Sequence, residues 1–231
     1  MPTAPDPSSR RGGPHRRREP LTRERVIAEA IALADDEGID RLTMRSLAKR
    51  LGVEAMSLYH HVDGKDALLD AMVDAVFAEI AQPAIGEPWR AEIRARCTSL
   101  RDALLRHPWA VGHLNSRRTP GPETLVHHDV VIGCLRAGGF SVSATALAFA
   151  TIDAFVYGFV LQEATLPFES GDEAAAMIEQ DAFGEALASY PNMVWFTQEV
   201  ILGPGYSFTR EFEPGLDLVL EGIQSRLSST D

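Results

Sequence analysis

Residues 42–65 constrain the fold more than any other stretch of this sequence. Thr43 is a suitable N-cap, because its hydroxyl can accept a hydrogen bond from a free backbone N–H in the first turn of a helix. Apolar residues follow at helical spacing, and Gly52 comes next, where a sharp turn favours a residue that tolerates positive φ. The apolar positions are Met44, Leu47, Ala48 and Leu51. The pattern predicts a short helix that ends in a tight turn.

A second short helix is predicted directly after the turn, over residues 55–61. Leu58 and Val62 supply its buried side. Ala48 and Gly52 are small, so the two helices can approach each other closely. This combination is typical of a DNA-binding helix-turn-helix.

The charge is distributed unevenly along the chain. The net charge of −11 over 231 residues disfavours a nucleic-acid partner when taken as a whole. Residues 1–65, however, carry 12 Lys and Arg against 10 Asp and Glu, a net +2, and the remainder carries −13. The basic part can contact phosphates, and the acidic part limits non-specific association. We call residues 1–20 the arm, residues 21–66 the head and residues 67–231 the body.

The arm is rich in Pro, Ser, Gly and Arg and has no apolar periodicity, so we expect it to be disordered when free. One interpretation is a tail that follows phosphates or enters an A·T-rich minor groove. The other is a solvated terminus that adds only general attraction. The sequence leaves both open. The basic residues concerned are Arg10, Arg11, His15, Arg16, Arg17 and Arg18.

The body is predicted to be helical throughout, with no strand pattern of any length. A fourth helix, capped by Asp63, joins the head to the body, and the proline-rich stretch 83–88 ends it. The further predicted helices are 89–106, 109–115, 123–137, 144–165 (opened by Ser143), 169–189, a turn or two in 190–200, and 212–227. The predicted fold class is all-α, with a three-helix head joined by helix four to a larger helical body.

Residues 144–165 are apolar on nearly every side of a helix, and residues 212–227 carry an apolar stripe. A helix that is apolar all round must be covered all round, so a partner subunit is expected. We expect no membrane-spanning run and no signal segment, hence a cytoplasmic protein. Cys97 and Cys134 lack metal-site spacing and are expected to be reduced, half-buried core thiols.

The segment IALADDEGIDRLTMRSLAKRLGVEAMSLYHHVDGKDALLDAM, residues 31–72, resembles the head of the TetR (tetracycline-repressor) family. The body resembles the C-terminal domain of the tetracycline repressors at ALLRHPW, AGGFS, VYGFVLQE and EFEPGLDLVLEGI. The resemblance implies a homodimeric repressor that binds a palindromic operator and is released by a small molecule. It also implies that helices 144–165 and 212–227 pair with their copies in a four-helix bundle, with no cofactor.

The resemblance places the third helix in the major groove of the operator. Tyr59 and His61 would hold phosphates or pack on a thymine methyl group. Lys65 would hold a phosphate at a helix N-terminus, and Thr43 would both cap its helix and meet the backbone. The candidate DNA-binding residues are Thr43, Arg45, Glu54, Ala55, Met56, Ser57, Tyr59, His60, His61 and Lys65.

The resemblance also implies an effector pocket inside the body. Ala81, Arg96 and Gln162 stand where tetracycline repressors contact the drug or its metal, which argues against a Mg²⁺-chelated ligand and for another aromatic or polycyclic compound. His128 shares a predicted helix face with Leu125, Ile132 and Leu135 and is expected to point inward, as a core residue or a ligand contact. The candidate ligand-binding residues are Arg96, Leu100, His113, Ser116, His128, Phe155, Phe159 and Gln162.

Two other classes of function compete with a ligand-responsive repressor. One is a constitutive DNA-binding protein whose body only dimerises. The other is an enzyme, which is disfavoured because the sequence has no phosphate-binding glycine loop, no CxxC pair and no nucleophile elbow. No metal site is predicted, since neighbours such as His127 and His128 diverge on a helix.

Overall fold

The computed structural model describes residues 20–114, 120–180 and 183–227, and these ranges contain helices and no strand. The predicted all-α class is confirmed, while residues 1–19 of the arm and Ser116 lie outside the described residues. The α-helices in these ranges are α1 (Arg23–Glu37), α2 (Met44–Leu51), α3 (Ala55–Leu58), α4 (Lys65–Ala78), α5 (Trp89–Arg106), α6 (Pro108–Val111), α7 (Pro122–Ala137), α8 (Val142–Thr165), α9 (Gly171–Gln180), α10 (Phe183–Leu187), α11 (Pro191–Phe196) and α12 (Phe212–Leu227).

The turn between α2 and α3 has the predicted geometry. Gly52 adopts the left-handed conformation, with φ of 68° and ψ of 35°. Its N–H donates to the Lys49 carbonyl at 3.2 Å, and the Val53 N–H donates to the Ala48 carbonyl at 3.0 Å. These two bonds form a Schellman motif, which satisfies the last carbonyls of α2 and sets the direction of α3.

Replacing Gly52 with Ala should lower the free energy of unfolding by about 1 kcal/mol, because an L-residue is strained in the left-handed region. A Cβ at Gly52 would meet no atom within 4 Å, so the cost comes from the backbone alone. Gly112 is the matched control, since it has φ of −68° and equally open surroundings. Urea unfolding of both Ala variants measures the difference, and an equal effect would contradict the left-handed turn.

Two predicted details of the head are wrong. The helix expected over residues 55–61 is assigned only to Ala55–Leu58, although the Val62 N–H still donates to the Leu58 carbonyl at 3.0 Å. The chain leaves the helix there because it must turn through Gly64, whose φ is 102°. Gly64, rather than Asp63, occupies the N-cap of α4, and no side chain caps that helix.

Helix α4 connects the head to the body by packing against both α1 and α7. Its buried Asp74 accepts hydrogen bonds from the Thr124 backbone N–H at 2.9 Å and the Thr124 hydroxyl at 2.8 Å. Gly121, at the N-cap of α7, supplies no side-chain cap, and a Cβ there would lie 2.3 Å from the Asp74 carboxylate. Asp74 therefore caps α7 from another helix, and the close approach requires Gly121.

Helix α8 packs against α5, α7 and α12 in the body. Ser141 caps it by accepting from the Ala144 N–H at 3.2 Å, so the predicted start at Ser143 is two residues late. The helix is 24 residues long and apolar enough, by length and composition, to cross a membrane, so the expectation that no run reaches that length is wrong. Only 28% of its most apolar window is buried within one chain, which agrees with the expectation that a partner covers the rest.

The segment after α8 is more broken than predicted. The single helix expected over residues 169–189 is described as α9 and α10, and the piece expected over 190–200 is α11 followed by a π-helical turn, Thr197–Ile201. Pro191 opens α11, since proline fits the first turn of a helix. Tyr190 and Trp195 are each 62% exposed, so this segment adds little to the core of one chain.

Candidate functional site

The surface of α3 that faces away from the core carries the residues predicted to read DNA. Leu58 is fully buried on the inner side, whereas Met56 is 72% exposed and Tyr59 is 46% exposed. Glu54 and His60 are also exposed. Ala55, Ser57 and His61 are half-buried at the edges of this surface. The arrangement presents a short, protruding strip of mixed polar and apolar side chains, which suits contact with base edges and phosphates.

The start of α2 is fixed by a capping box between Thr43 and Ser46. The Thr43 hydroxyl accepts from the Ser46 N–H at 3.0 Å, and the Ser46 hydroxyl accepts from the Thr43 N–H at 2.9 Å. The sequence predicted the cap but not its partner, because the usual partner at that position is Glu or Gln. Thr43 and Arg45 are both exposed, so they remain available to a ligand outside the helix.

Lys65 is exposed at the first position of α4. Because no side chain caps this helix, its first-turn N–H groups are open to an anion beside the Lys65 ammonium group. The head thus contains all three candidate contact regions: the start of α2, the surface of α3, and Lys65 at the start of α4.

A buried polar cluster joins three helices of the body. Arg96 of α5 is 0% exposed and donates through Nε to Nε2 of His127, on α7, at 3.0 Å. Its Nη1 pairs with the Asp153 carboxylate, on α8, at 2.7 Å. The Tyr157 hydroxyl donates to the same carboxylate at 3.4 Å. Sequence reasoning selected Arg96 but missed His127, Asp153 and Tyr157.

Two atoms of this cluster have no hydrogen-bond partner among the described residues: Nη2 of Arg96 and Nδ1 of His127. Burial, and secondarily the positive charge of Arg96, lower the pKa of His127 to about 3, so its ring is neutral near pH 7. Burial likewise raises the pKa of the Cys97 thiol to about 11. Cys97 and Cys134 are free thiols, as predicted, but both are fully buried rather than half-buried.

The predicted orientation of α7 is wrong. Leu125 and Ile132, expected to share the inward face with His128, are 55% and 44% exposed, and His127 is the fully buried histidine. His128 is half-buried, and its ring lies 5.7 Å from Phe77 and 5.2 Å from Phe149, edge-on to both. The helix is rotated because its apolar residues occupy several faces, so periodicity alone did not fix which face points inward.

The remaining ligand-site candidates differ in their burial and in their contacts. Phe155 and Phe159 pack with Phe212, and Phe159 stacks on Phe208 at 4.5 Å. Leu100 is fully buried, His113 is half-buried and Gln162 is exposed. Ser116 lies outside the described residues.

A cleft of about 450 Å³ opens between the end of α7 and the start of α8. Its walls are mainly apolar, and they include Ile132, Phe140, Val142, Thr145, Ala146 and Phe149. Phe149 belongs to this wall and also contacts His128, so the cleft lies beside His128. The cleft was not anticipated from the sequence, because it is formed by parts of two helices that join at a turn.

A second polar junction connects the head to the body at His107. Nδ1 of His107 lies 2.9 Å from the Asp35 carboxylate of α1, and Nε2 lies 3.2 Å from the Glu79 carboxylate at the end of α4. Asp35 also accepts from the Trp109 indole N–H at 2.7 Å. Because both carboxylates accept, the ring satisfies both only when each nitrogen carries a hydrogen. This junction ties α1 and α4 to the segment between α5 and α6.

Lowering the pH from 7 to 5 should reduce the free energy of unfolding by about 2 kcal/mol through His127 alone. Its folded-state pKa of about 3 lies below the ordinary value of 6.5, so the unfolded chain takes up a proton in this range and the folded chain does not. Stability is therefore retained above pH 6.5 and lost as the pH falls towards 3. Urea unfolding at several pH values measures this loss.

The variant His127→Gln should lose this part of the pH dependence, whereas His60→Gln, at an exposed position, should retain it. The half-buried His128, whose pKa is also lowered by burial, adds to the loss of stability at low pH. This contribution is present in the unsubstituted protein and in both variants. An unchanged pH dependence in His127→Gln would show that His127 is not held neutral by its surroundings.

Comparisons with known proteins agree with the two parts of this structure. Residues 26–72 match the family model of bacterial regulatory proteins of the tetR family, and residues 82–227 match that of the tetracyclin repressor-like C-terminal domain. An HTH-type transcriptional regulator of Saccharopolyspora erythraea is 38% identical over 176 residues, which cover 74% of this chain and 72% of that protein. The transcriptional repressor DrrR1 of Streptomyces coeruleorubidus is 32% identical over 213 residues, 88% and 77% of the two chains.

Among solved structures, the TetR family protein ActR of Streptomyces coelicolor in complex with actinorhodin superposes with a TM-score of 0.76. It is 29% identical, and the match covers 92% of this chain and 99% of that one. With a head matched to one family model and a body matched to the other, this chain belongs to the TetR family of DNA-binding transcriptional regulators.

Proposed function

We propose that the protein is a homodimeric repressor that binds a palindromic operator and is released from it by a small aromatic ligand. The observation that carries this proposal is the position of α4. This helix begins at Lys65, beside the exposed surface of α3, and its Asp74 caps α7, which supplies His127 to the buried cluster. A change around the cluster therefore has a short mechanical route to the DNA-facing surface.

The proposed operator contacts are made by the head, residues 21–66. Met56, Ser57, Tyr59 and His60 would face the major groove, with Glu54, Ala55 and His61 at the edges. Thr43, Arg45 and Lys65 would hold phosphates on either side, which fixes the register of α3. Residues 1–65, which comprise the arm and nearly all of the head, carry a net charge of +2 although the whole chain is acidic, and this favours the phosphate contacts.

The proposed dimer forms through α8 and α12 of the body, residues 67–231. Leu147, Leu161 and Leu218 are exposed by 56%, 54% and 73% on these two helices, and a second copy would cover them. Two heads held by such a dimer would meet two half-sites about one helical turn of DNA apart. DrrR1 is a transcriptional repressor, and ActR was solved with actinorhodin, which supports repression relieved by a ligand in this chain as well.

The proposal is tested by a gel shift on the DNA upstream of the protein's own gene, where such regulators often act. We expect a single retarded complex of one dimer with the DNA. Aromatic candidate effectors should dissociate this complex. A complex that no compound reverses would instead favour the constitutive DNA-binding protein. The absence of any complex on DNA containing the operator would reject both.

A further inference from the structure

The ring of His107 lies between two carboxylates that belong to different helices. Asp35 of α1 is 2.9 Å from Nδ1, and Glu79, which directly follows α4, is 3.2 Å from Nε2. The side chain of His107 is only 10% exposed, so both contacts are largely shielded from water. The protonation state of this one ring therefore decides how many of the two contacts exist.

The backbone of the body fixes the position of this ring. The His107 N–H donates to the Ala103 carbonyl of α5 at 3.0 Å, and the Ala110 N–H of α6 donates to the His107 carbonyl at 2.9 Å. Pro108 follows as the first residue of α6 and restricts the backbone of the residue before it. The ring is thus a rigid part of the body, and Asp35 is the point at which it holds the head.

The two charge states of such a ring bind the two carboxylates differently. An imidazolium carries hydrogen on both nitrogens and donates to both carboxylates, with the added strength of a charged donor. A neutral ring carries one hydrogen, so one carboxylate faces a bare nitrogen and its contact becomes repulsive. Histidine is the side chain that ordinarily loses its proton in the physiological pH range. Raising the pH therefore removes one of the two attachments.

The other groups at the junction keep their contacts when the ring loses its proton. Arg106 donates to Glu79 at 2.7 Å, and the Trp109 indole N–H donates to Asp35 at 2.7 Å, so each carboxylate retains a hydrogen-bond partner. Deprotonation thus loosens the junction without orphaning a buried group. The nearby charges of α1 and α8 are paired with other side chains: Asp36 with Arg50, Asp153 with Arg96, and Glu163 with Arg101.

We infer that His107 is a positioning residue, which as an imidazolium holds α1 to the body and fixes the orientation of the head for the operator, and as a neutral ring releases it. A dimer whose heads are already oriented loses less conformational freedom when it binds two half-sites. This contribution to operator affinity is lost as the pH rises from 6 to 9. The inference rests on the proposed operator-binding function and adds a proton-dependent control to it.

The separation of the two heads, measured without DNA, tests the positioning directly. A spin label at Asp40→Cys sits on an exposed position of the head, while Cys97 and Cys134 are buried and stay unlabelled. Pulsed electron paramagnetic resonance then measures the distance between the two labels of a dimer. We expect a narrow distance distribution at pH 6 that broadens at pH 9. Equal widths at the two pH values would overturn the inference, and this result needs no change at the junction itself.

His107→Gln tests the role of the charge, because the amide offers a donor and an acceptor, as a neutral ring does, but no charge. We expect its operator affinity to be about tenfold below that of the unsubstituted protein at pH 6 and nearly equal to it at pH 9. Other titrating groups, such as His60, are present in both proteins, so this ratio isolates His107. A ratio that is the same at both pH values would overturn the inference.

The matched control is His113→Gln, which replaces a half-buried histidine six positions later. Its operator affinity should equal that of the unsubstituted protein at both pH values. A loss at pH 6 as large as that of His107→Gln would overturn the assignment to His107.

Glu79→Gln should have the opposite effect. The glutamine amide can accept a hydrogen bond from the imidazolium or donate one to the bare Nε2 of the neutral ring, so the junction closes in either charge state. We expect the affinity of this variant to equal that of the unsubstituted protein at pH 6 and to exceed it by about tenfold at pH 9. A merely structural role of the junction predicts a loss at both pH values, and that result would overturn the inference.

Operator binding by the unsubstituted protein at pH 6 reports separately on the proposed function. Its absence would reject the regulator itself. Operator binding with equal head-to-head distributions at pH 6 and pH 9 would reject only the role of His107.

Discussion

Replacing Asp153 with Asn should lower the free energy of unfolding by about 3–5 kcal/mol. Asp153 is the counter-ion of Arg96, which is 0% exposed and cannot lose its proton. The asparagine keeps the size of the side chain but leaves the guanidinium without a counter-ion in the protein interior. Urea unfolding of the variant measures the loss directly.

The control for this prediction is Asp217→Asn. Asp217 also pairs with arginines, Arg90 and Arg94, but it lies at the surface of α12, where water screens the pairs. Its replacement should barely move the unfolding midpoint. The double variant Arg96→Met with Asp153→Leu should recover much of the loss, because it removes both charges together. If Asp153→Asn lowered the free energy of unfolding as little as Asp217→Asn, a group other than Asp153 would have to compensate the charge of Arg96.

Replacing Tyr59 and Lys65 together with Ala should weaken operator binding by about a hundredfold and leave the dimer intact. Tyr59 is 46% exposed on α3 and Lys65 is exposed at the start of α4, so neither substitution removes a core contact. Because each subunit contributes both residues, the dimer would lose two Tyr59 contacts and two Lys65 contacts with the operator. Fluorescence anisotropy with labelled operator measures binding, and thermal unfolding shows that the fold is kept.

The single variants separate the two contacts. Lys65→Ala should reduce the slope of log affinity against log salt concentration, because it removes a phosphate contact, whereas Tyr59→Ala should leave the slope nearly unchanged. Tyr190→Ala is the control for a lost tyrosine, since Tyr190 is 62% exposed in the body, far along the chain from the head. A similar loss in Tyr190→Ala would mean that the effect is not specific to α3.

The head could be predicted closely because local signals fix its helices. Thr43 caps α2, and Gly52 takes the left-handed turn that its position required. These signals act over three or four residues, so they can be recognised in the sequence without knowing how the helices pack. The errors arose where two signals competed: Asp63 is a good cap by type, but the chain places Gly64 at that position.

The buried cluster of the body could not be predicted, because its members are distant in sequence. Arg96 and His127 are separated by 31 positions, and Arg96 and Asp153 by 57. Asp74 and Asp153 are acids within apolar helices, and only the packing of the helices shows that one caps α7 and the other balances Arg96. An acid within an otherwise apolar helix is the signal that could have identified both positions, and sequence reasoning did not use it.

The orientation of α7 failed for a different reason. Leu125 and Ile132 lie on one face of this helix and Val126 and Val130 on another, so no single apolar stripe marked the inner side. The exposure of Leu125 and Ile132 shows that apolar residues of this helix remain uncovered in one chain. Periodicity identifies a buried face only when the opposite face is polar.

The most direct test of the central claim, that α3 of a dimer reads an operator, is a footprint on the DNA upstream of the protein's own gene. We expect two protected half-sites about 10 base pairs apart, centre to centre, or a multiple of that spacing, related by a two-fold axis. Protection should disappear in the Tyr59→Ala and Lys65→Ala double variant at the same protein concentration. An unchanged footprint in that variant would contradict the claim.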